Sequence, residues 1–281
     1  SKTTCNRGDI PMTRLLLFGA SGAVGKALVR RLEGDTKYTV HGTCRNNRPP
    51  LPSDRCHRLD LEDFRKLERL WDRIRPDAVL LALRGDYEKQ LRFHRAVAEL
   101  AKGSPCDVWF CSTSAVFDGS TQNPHTEEEP PVPESEYGRF KAACEEMMAS
   151  VLGSRLRILR FPAIFGKDVP RVTQLLDRLK RGETVEYHDN FFANRHTDDM
   201  LARQIAFLLQ HRPEGIFHLG SVDIMAQAEF YRELVSRLGY PKKLVKVISH
   251  PADRTLAVLS KREWPEELRI THDDILDHFR S

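Results

Sequence analysis

Short, largely apolar runs alternate along this chain with stretches in which apolar residues return every three or four positions. The runs are RLLLF (14–18), TVHGTC (39–44), DAVLLAL (77–83), DVWFCS (107–112) and LRILRF (156–161). Helical spacing fills the intervals, over 23–33, 62–73, 87–102 and 137–152; in the first, Ala23, Ala27, Leu28 and Leu32 share one side. A strand that is apolar throughout must be covered on both faces. The pattern therefore predicts an α/β fold, a doubly wound parallel sheet with helices on each side.

Beyond Gly166 the alternation loosens. A helix is expected over about 170–181, then a polar stretch, HDNFFANRH (188–196). Thr197, Asp198 and Asp199 can cap a helix running through Gln210. GIFHLGS (215–221) reads as one more strand, with helices near 226–238 and 272–280. The expected division is a main domain over 12–166, completed by about 191–221, with 167–190 and 222–281 forming a smaller C-terminal α/β substrate lobe. Residues 1–11 read as a flexible extension or a remnant ahead of the fold. The Pro/Glu-rich segment 122–136 is a long loop of the kind that lines a site.

Composition narrows the partners. Lys and Arg number 44 against 40 Asp and Glu, a net charge of +4, and the basic residues are scattered. That argues against nucleic acid and leaves an anionic small ligand open. The six cysteines, at 5, 44, 56, 106, 111 and 144, form no C-x-x-C and no zinc pattern. No metal is expected, and reduced thiols suit a cytoplasmic protein. No apolar run nears the ~20 residues of a membrane span.

Immediately after the first strand, GASGAVG places Gly19, Gly22 and Gly25 at a helix start. Glycine allows a tight turn and close approach of a phosphate, and the helix N-terminus offers free N–H donors. At the first β–α junction of a parallel sheet this predicts a dinucleotide site, the Rossmann fold arrangement. The second strand ends in GTCRNNR, with Arg45 and Arg48 and no acid. A cation there suits the 2′-phosphate of NADP(H), which is preferred, with NAD(H) admitted. Further on, Tyr137 and Lys141 stand four residues apart, on one face of a helix that follows a strand ending in Ser112 and Thr113. A phenol with a pKa near 10 becomes an effective acid–base close to neutrality when a neighbouring ammonium favours the phenolate.

Together with LDLED (59–63), LRFPAIFG (159–166), NRHTDDM (194–200) and PADRTLAVLSKR (251–262), these motifs resemble an extended short-chain dehydrogenase/reductase. Within it the chain looks most like the dTDP-4-dehydrorhamnose reductase group and related nucleotide-sugar reductases and epimerases. The resemblance implies that Gly19, Ser21, Gly22, Ala23, Val24 and Gly25 hold the cofactor pyrophosphate. It puts Arg45 at the adenosine phosphate, Asp60 and Leu61 beside the adenine, Leu81 and Ala82 along the cofactor, and Phe161 and Pro162 near the nicotinamide. Thr113 would orient a substrate carbonyl, Tyr137 would protonate its oxygen, and Lys141 would hold the cofactor ribose and lower the Tyr137 pKa. Arg84, Asn194 and Arg195 are candidate contacts to an anionic substrate.

The implied activity is NADP(H)-dependent reduction of a keto group on a nucleotide sugar or a similar small polar carbonyl compound, by a monomer or homodimer. Two alternatives stand beside it: a nucleotide-sugar epimerase with retained cofactor, and a non-catalytic cofactor-binding regulatory subunit. The chain also departs from the group. Ser114 follows Thr113 where the reductases carry an acid, and the fourth strand ends in ALRGDYEKQ. Without an Asp–Glu pair after Thr113, dehydratase chemistry is disfavoured.

Overall fold

A computed structural model describes residues 11–280, so all but the last residue of the predicted N-terminal extension lies outside the described residues. The chain opens with β1 (Thr13–Phe18), α1 (Ala23–Leu32), β2 (Tyr38–Cys44), β3 (Cys56–Arg58), α2 (Phe64–Ile74), β4 (Ala78–Leu81), α3 (Tyr87–Lys102) and β5 (Asp107–Thr113). It continues through α4 (Glu136–Leu152), β6 (Leu156–Phe161), β7 (Ile164–Phe165), α5 (Pro170–Lys180), β8 (Val185–His188), β9 (Phe191–Ala193), β10 (His196–Thr197) and α6 (Asp198–His211). The last elements are β11 (Gly215–His218), β12 (Met225–Ala226), α7 (Gln227–Arg237), β13 (Val245–Ile248), β14 (Arg254–Leu256) and α8 (His272–Asp277).

Seven strands form one parallel sheet in the order β11-β6-β5-β4-β1-β2-β3. Alternate residues explain its two-sided covering. Leu16, Phe18, Val79, Leu81, Val108 and Phe110 point to the face packed by α2, α3 and α4. Leu15, Leu17, Leu80, Trp109 and Leu159 point to the face packed by α1 and α6. This is the doubly wound sheet expected from the sequence. Strand order reverses between β1 and β4, and the crevice beyond their C-terminal ends is where such sheets bind ligands.

A separate apolar cluster joins α5, α7 and α8 to β8 and β13, with Phe165, Val172, Phe230, Leu234 and Ile275 at its centre. The polar stretch 188–196 is here less irregular than its composition suggests. It ends β8 and supplies β9 and β10, because β13, β14 and β7 offer them parallel partners. The strand expected over 77–83 stops at Leu81: Ala82 to Asp86 leave the sheet through Gly85, whose φ is 124°. The expected helix over 272–280 likewise ends at Asp277.

Candidate active site

The first β–α turn is built by two steric demands. Gly19 has a φ of 85°, and a Cβ on it would lie 2.2 Å from the Ala82 carbonyl oxygen. A Cβ on Gly25 would lie 2.4 Å from the Gly19 oxygen, so α1 can sit this close to β1 only without one. Gly22 is different: a Cβ there would meet nothing nearer than 3.6 Å, and what its bareness leaves free is the approach to α1. Side chains cap α2, α3, α4 and α6, whereas α1, like α5 and α7, has no side-chain cap. The first amides of α1 thus have no side-chain acceptor, and such donors are the kind an anion can use.

A cleft of ≈ 410 Å³ opens over this turn, lined by Ser21, Gly22, Ala23, Arg45, Leu61 and Ala82 among others. Lys26, Thr43, Asn46 and Asn47 also line it and were not singled out from the sequence. Lys26 had a signal, since it stands four residues after Gly22 on the same helix face. Three expected cofactor contacts line neither this cleft nor the cavity that adjoins it. Asp60 turns its carboxylate onto the Glu62 amide at 3.0 Å. Leu81 is wholly buried in the sheet beneath Ala82, and Pro162 packs against Gly220.

A second cavity, ≈ 420 Å³, shares Gly22, Ala23, Ala82, Leu83 and Arg84 with the first and extends to Val24, Gly25, Tyr137, Lys141 and Phe161. The wall that holds Tyr137 and Lys141 is set by α4. Ser135 caps that helix through the Gly138 amide at 3.0 Å. A Cβ on Gly138 would lie 2.3 Å from the Ala115 oxygen, so glycine lets the helix start press against the turn after β5. That contact brings Tyr137 beside Thr113, whose hydroxyl accepts the Ala115 amide at 3.1 Å. Tyr137 is 41% exposed at the rim. Lys141, one turn further, is buried; its Nζ donates to the Cys111 carbonyl at 2.8 Å and lies 4.9 Å from the centre of the Phe110 ring.

The electrostatics differ from the simple Tyr–Lys picture. Desolvation pushes the Tyr137 phenol above its ordinary pKa, and Tyr87 adds to this, while the Thr113 hydroxyl and the Arg84 charge oppose it. Burial also lowers the pKa of Lys141. Behind this wall lies a buried polar chain. Ser112 donates to Glu145 at 2.6 Å, Arg160 pairs with Glu145 at 2.6 Å, and His218 stands 3.3 Å from Arg160. Tyr137, Lys141 and Glu145 follow one another at helical spacing, so one face of α4 carries all three.

Of the three anion candidates, only Arg84 stands in a cleft. It borders both cavities and a third of ≈ 410 Å³ lined by Arg171, Arg178, Gln174 and Tyr187. Asn194 and Arg195 are corrected to internal braces. Asn194 donates to the carbonyls of Ser221 and Val258 and accepts the Val258 amide. Arg195, 3% exposed, donates to the Ala193 and Met225 carbonyls, meets His272 at 3.0 Å and lies over Phe230. Burial brings its pKa down to about 10. Arg195→Ala is therefore expected to lower stability by about 2–4 kcal/mol, through unpaired carbonyls and a lost packing group, as read by urea unfolding. Affinity for NADPH should stay unchanged.

Comparison with known proteins bears on this site. A family model described as RmlD substrate binding domain matches residues 84–272. Over 254 residues the chain is 26% identical to the dTDP-4-keto-6-deoxy-D-glucose reductase of Streptomyces niveus, covering 86% of this chain and 83% of that protein. It is also 26% identical over 263 residues to methionine adenosyltransferase 2 subunit beta of Mus musculus, covering 86% and 77%. Among solved structures, the dTDP-4-dehydrorhamnose reductase of Bacillus anthracis in complex with NADP shares the fold. Its TM-score is 0.76 at 18% identity, over 95% of this chain and 98% of that one. The family match spans well over half of the sequence and includes the turn after β4 from Arg84 on, all of α4 and most of the separate apolar cluster, up to the start of α8. The chain belongs to the RmlD substrate-binding-domain family, among the extended short-chain dehydrogenase/reductases.

Proposed function

We propose that this protein is an NADP(H)-dependent oxidoreductase that reduces a keto group on a nucleotide sugar. The observation that carries the reading is the continuity of the cleft. A groove at the switch point adjoins, through the shared Gly22, Ala82 and Arg84, a cavity walled by Tyr137 and Lys141. The uncapped start of α1, and the bare Gly22 beside it, fit a pyrophosphate. Arg45, exposed at the end of β2, fits a 2′-phosphate, and NAD(H) is admitted with weaker affinity. Support also comes from the reductase relatives and from the NADP of the Bacillus anthracis structure. The third cavity, with Arg84, Arg171 and Arg178, offers the positive wall that a nucleotide diphosphate needs.

NADPH, when bound, supplies the hydride. The chain supplies placement and the proton. Thr113 presents its hydroxyl to the carbonyl oxygen, and Tyr137 gives its phenolic proton to that oxygen as charge develops there. Lys141, fixed on the Cys111 carbonyl, has two remaining N–H donors for the cofactor ribose. Arg45→Ala is expected to weaken NADPH about tenfold to hundredfold while leaving NADH nearly unchanged, measured by fluorescence titration. An equal loss for both would remove Arg45 from the 2′-phosphate.

A second reading is a cofactor-binding regulatory subunit without turnover. Ser114 beside Thr113 and the similarity to a protein named as a subunit favour it. Incubation with NADPH and a panel of 4-keto nucleotide sugars separates the two. Reduced sugar in step with NADPH loss supports the reductase; tight NADPH binding with no reduced product supports the subunit.

A further inference from the structure

At the edge of the sheet formed by β11 lies a cavity of ≈ 300 Å³ that shares no lining residue with the three already described. It is enclosed by the segment 257–269, which follows β14 and passes alongside β11. Arg262 ties the two together: its Nε and Nη2 donate to the carbonyls of Ile216 and Glu214, each at 2.8 Å. Val258, Leu259, Trp264 and Leu268 of this segment, with Val222 after β11, give the cavity an apolar lining.

One wall is fixed in a neutral state. His218 Nδ1 lies 3.0 Å from the Leu259 carbonyl and 3.2 Å from that of His125, so it carries the ring proton. Nε2, 3.3 Å from Arg160 Nη1, is then the acceptor. Burial takes the His218 pKa down to about 4, so the ring stays uncharged near neutrality. Glu127, close by, already accepts from the Ser260 hydroxyl, the Lys261 amide and the His218 amide. No carboxylate lines the cavity itself.

Its charge is positive. Arg262, with its guanidinium 3.9 Å from the centre of the Phe217 ring, keeps Nη1 unused by the two carbonyls. Arg269 is exposed and has no ion-pair partner among the described residues. Guanidinium groups beside an indole and aliphatic side chains select a negative head on a flat apolar body. An inorganic anion would leave the apolar wall wet, and a neutral ring would leave the cations unanswered.

We propose that this cavity is a second ligand site, separate from the cofactor groove and the active cavity, for a small aromatic carboxylate. The carboxylate meets Arg262 and Arg269, and the ring packs on Trp264 and Leu268. The site stands whether or not the chain reduces a keto sugar.

The test uses the whole protein and 4-fluorobenzoate, followed by fluorine NMR line broadening. Binding with a Kd of about 1 mM or tighter is expected. Tryptophan emission should shift with it, since Trp71 and Trp109 are core residues and Trp264 alone is half-buried at this cavity. Arg269→Gln should weaken the probe about tenfold, and Arg269→Lys less. Val222→Trp should block it, because Val222 is 55% exposed and its replacement fills the cavity without entering the core. Neutral 4-fluorobenzamide should not bind, and inorganic phosphate should not displace the probe. No broadening up to about 10 mM overturns the proposal. So does unchanged affinity in either Arg269→Gln or Val222→Trp, which places the probe elsewhere. Equal binding of the amide, or displacement by phosphate or by NADP(H), likewise removes the site as described.

Discussion

In a Tyr137→Phe variant, NADPH-dependent turnover is expected to fall by about 10²–10⁴-fold while NADPH affinity stays within a few-fold. The substitution removes one oxygen and keeps the ring, which lies 6.1 Å from Tyr87 at the rim of the cavity. The helix start is held by Ser135 and by the contact between Gly138 and Ala115, neither of which involves the phenol. What disappears is the proton donor alone. Initial rates and fluorescence titration on the same preparation read the two quantities separately. Turnover retained at near the original rate would take Tyr137 out of the reaction.

The second large effect concerns stability. Glu145→Ala is expected to lower the free energy of unfolding by about 3–5 kcal/mol, because it strands a buried guanidinium. Arg160 is among the largest fully buried side chains, and Glu145 holds it through three N–H···O contacts, the shortest 2.6 Å. Ser112 loses its acceptor as well. The aromatic face of Phe117, 5.1 Å from the Arg160 guanidinium, is too weak a partner to compensate. Replacing both partners by apolar groups, Glu145→Leu with Arg160→Met, should recover most of the loss, since the penalty arises from the unpaired charge. Urea unfolding with an unchanged slope is the measurement. A loss under about 1 kcal/mol for Glu145→Ala would mean that water or another group reaches Arg160. Because Glu145 lies two turns beyond Tyr137 on one helix face, activity should fall with stability.

The order of strands and helices was legible because each central strand is apolar at nearly every position and each helix carries its own spacing. The glycine loop was legible too, since the positive φ of Gly19 and the close approach of Gly25 to the Gly19 oxygen are local to a single turn, although the approach of Ala82 to Gly19 is not. Cofactor contacts on neighbouring elements were less so. Lys26, Thr43 and Asn46 reach the cleft only because β2 and α1 are placed together by long-range pairing. Arg195 was misread for a related reason. Its residue type and motif suggest an anion clamp, but whether a guanidinium meets a ligand or three internal acceptors is decided by β12 and α8, far along the chain. Lys141 shows the same limit: helical spacing puts it near Tyr137, yet its ammonium is committed by the carbonyl of a strand residue thirty positions earlier. Short strands such as β9, β10 and β14 have no period to read, and exist because partners are supplied.

The central claim is that Tyr137 and the groove beside it deliver a hydride and a proton to a sugar ketone. Its most direct test is incubation of purified protein with NADPH deuterated at the hydride position and a panel of 4-keto nucleotide sugars, followed by mass analysis of the product. The account predicts one deuterium on the former carbonyl carbon, in step with NADPH consumed, and about 10²–10⁴-fold less incorporation over the same time in Tyr137→Phe. Tight NADPH binding with no deuterium in any sugar, or the same incorporation without Tyr137, would contradict it.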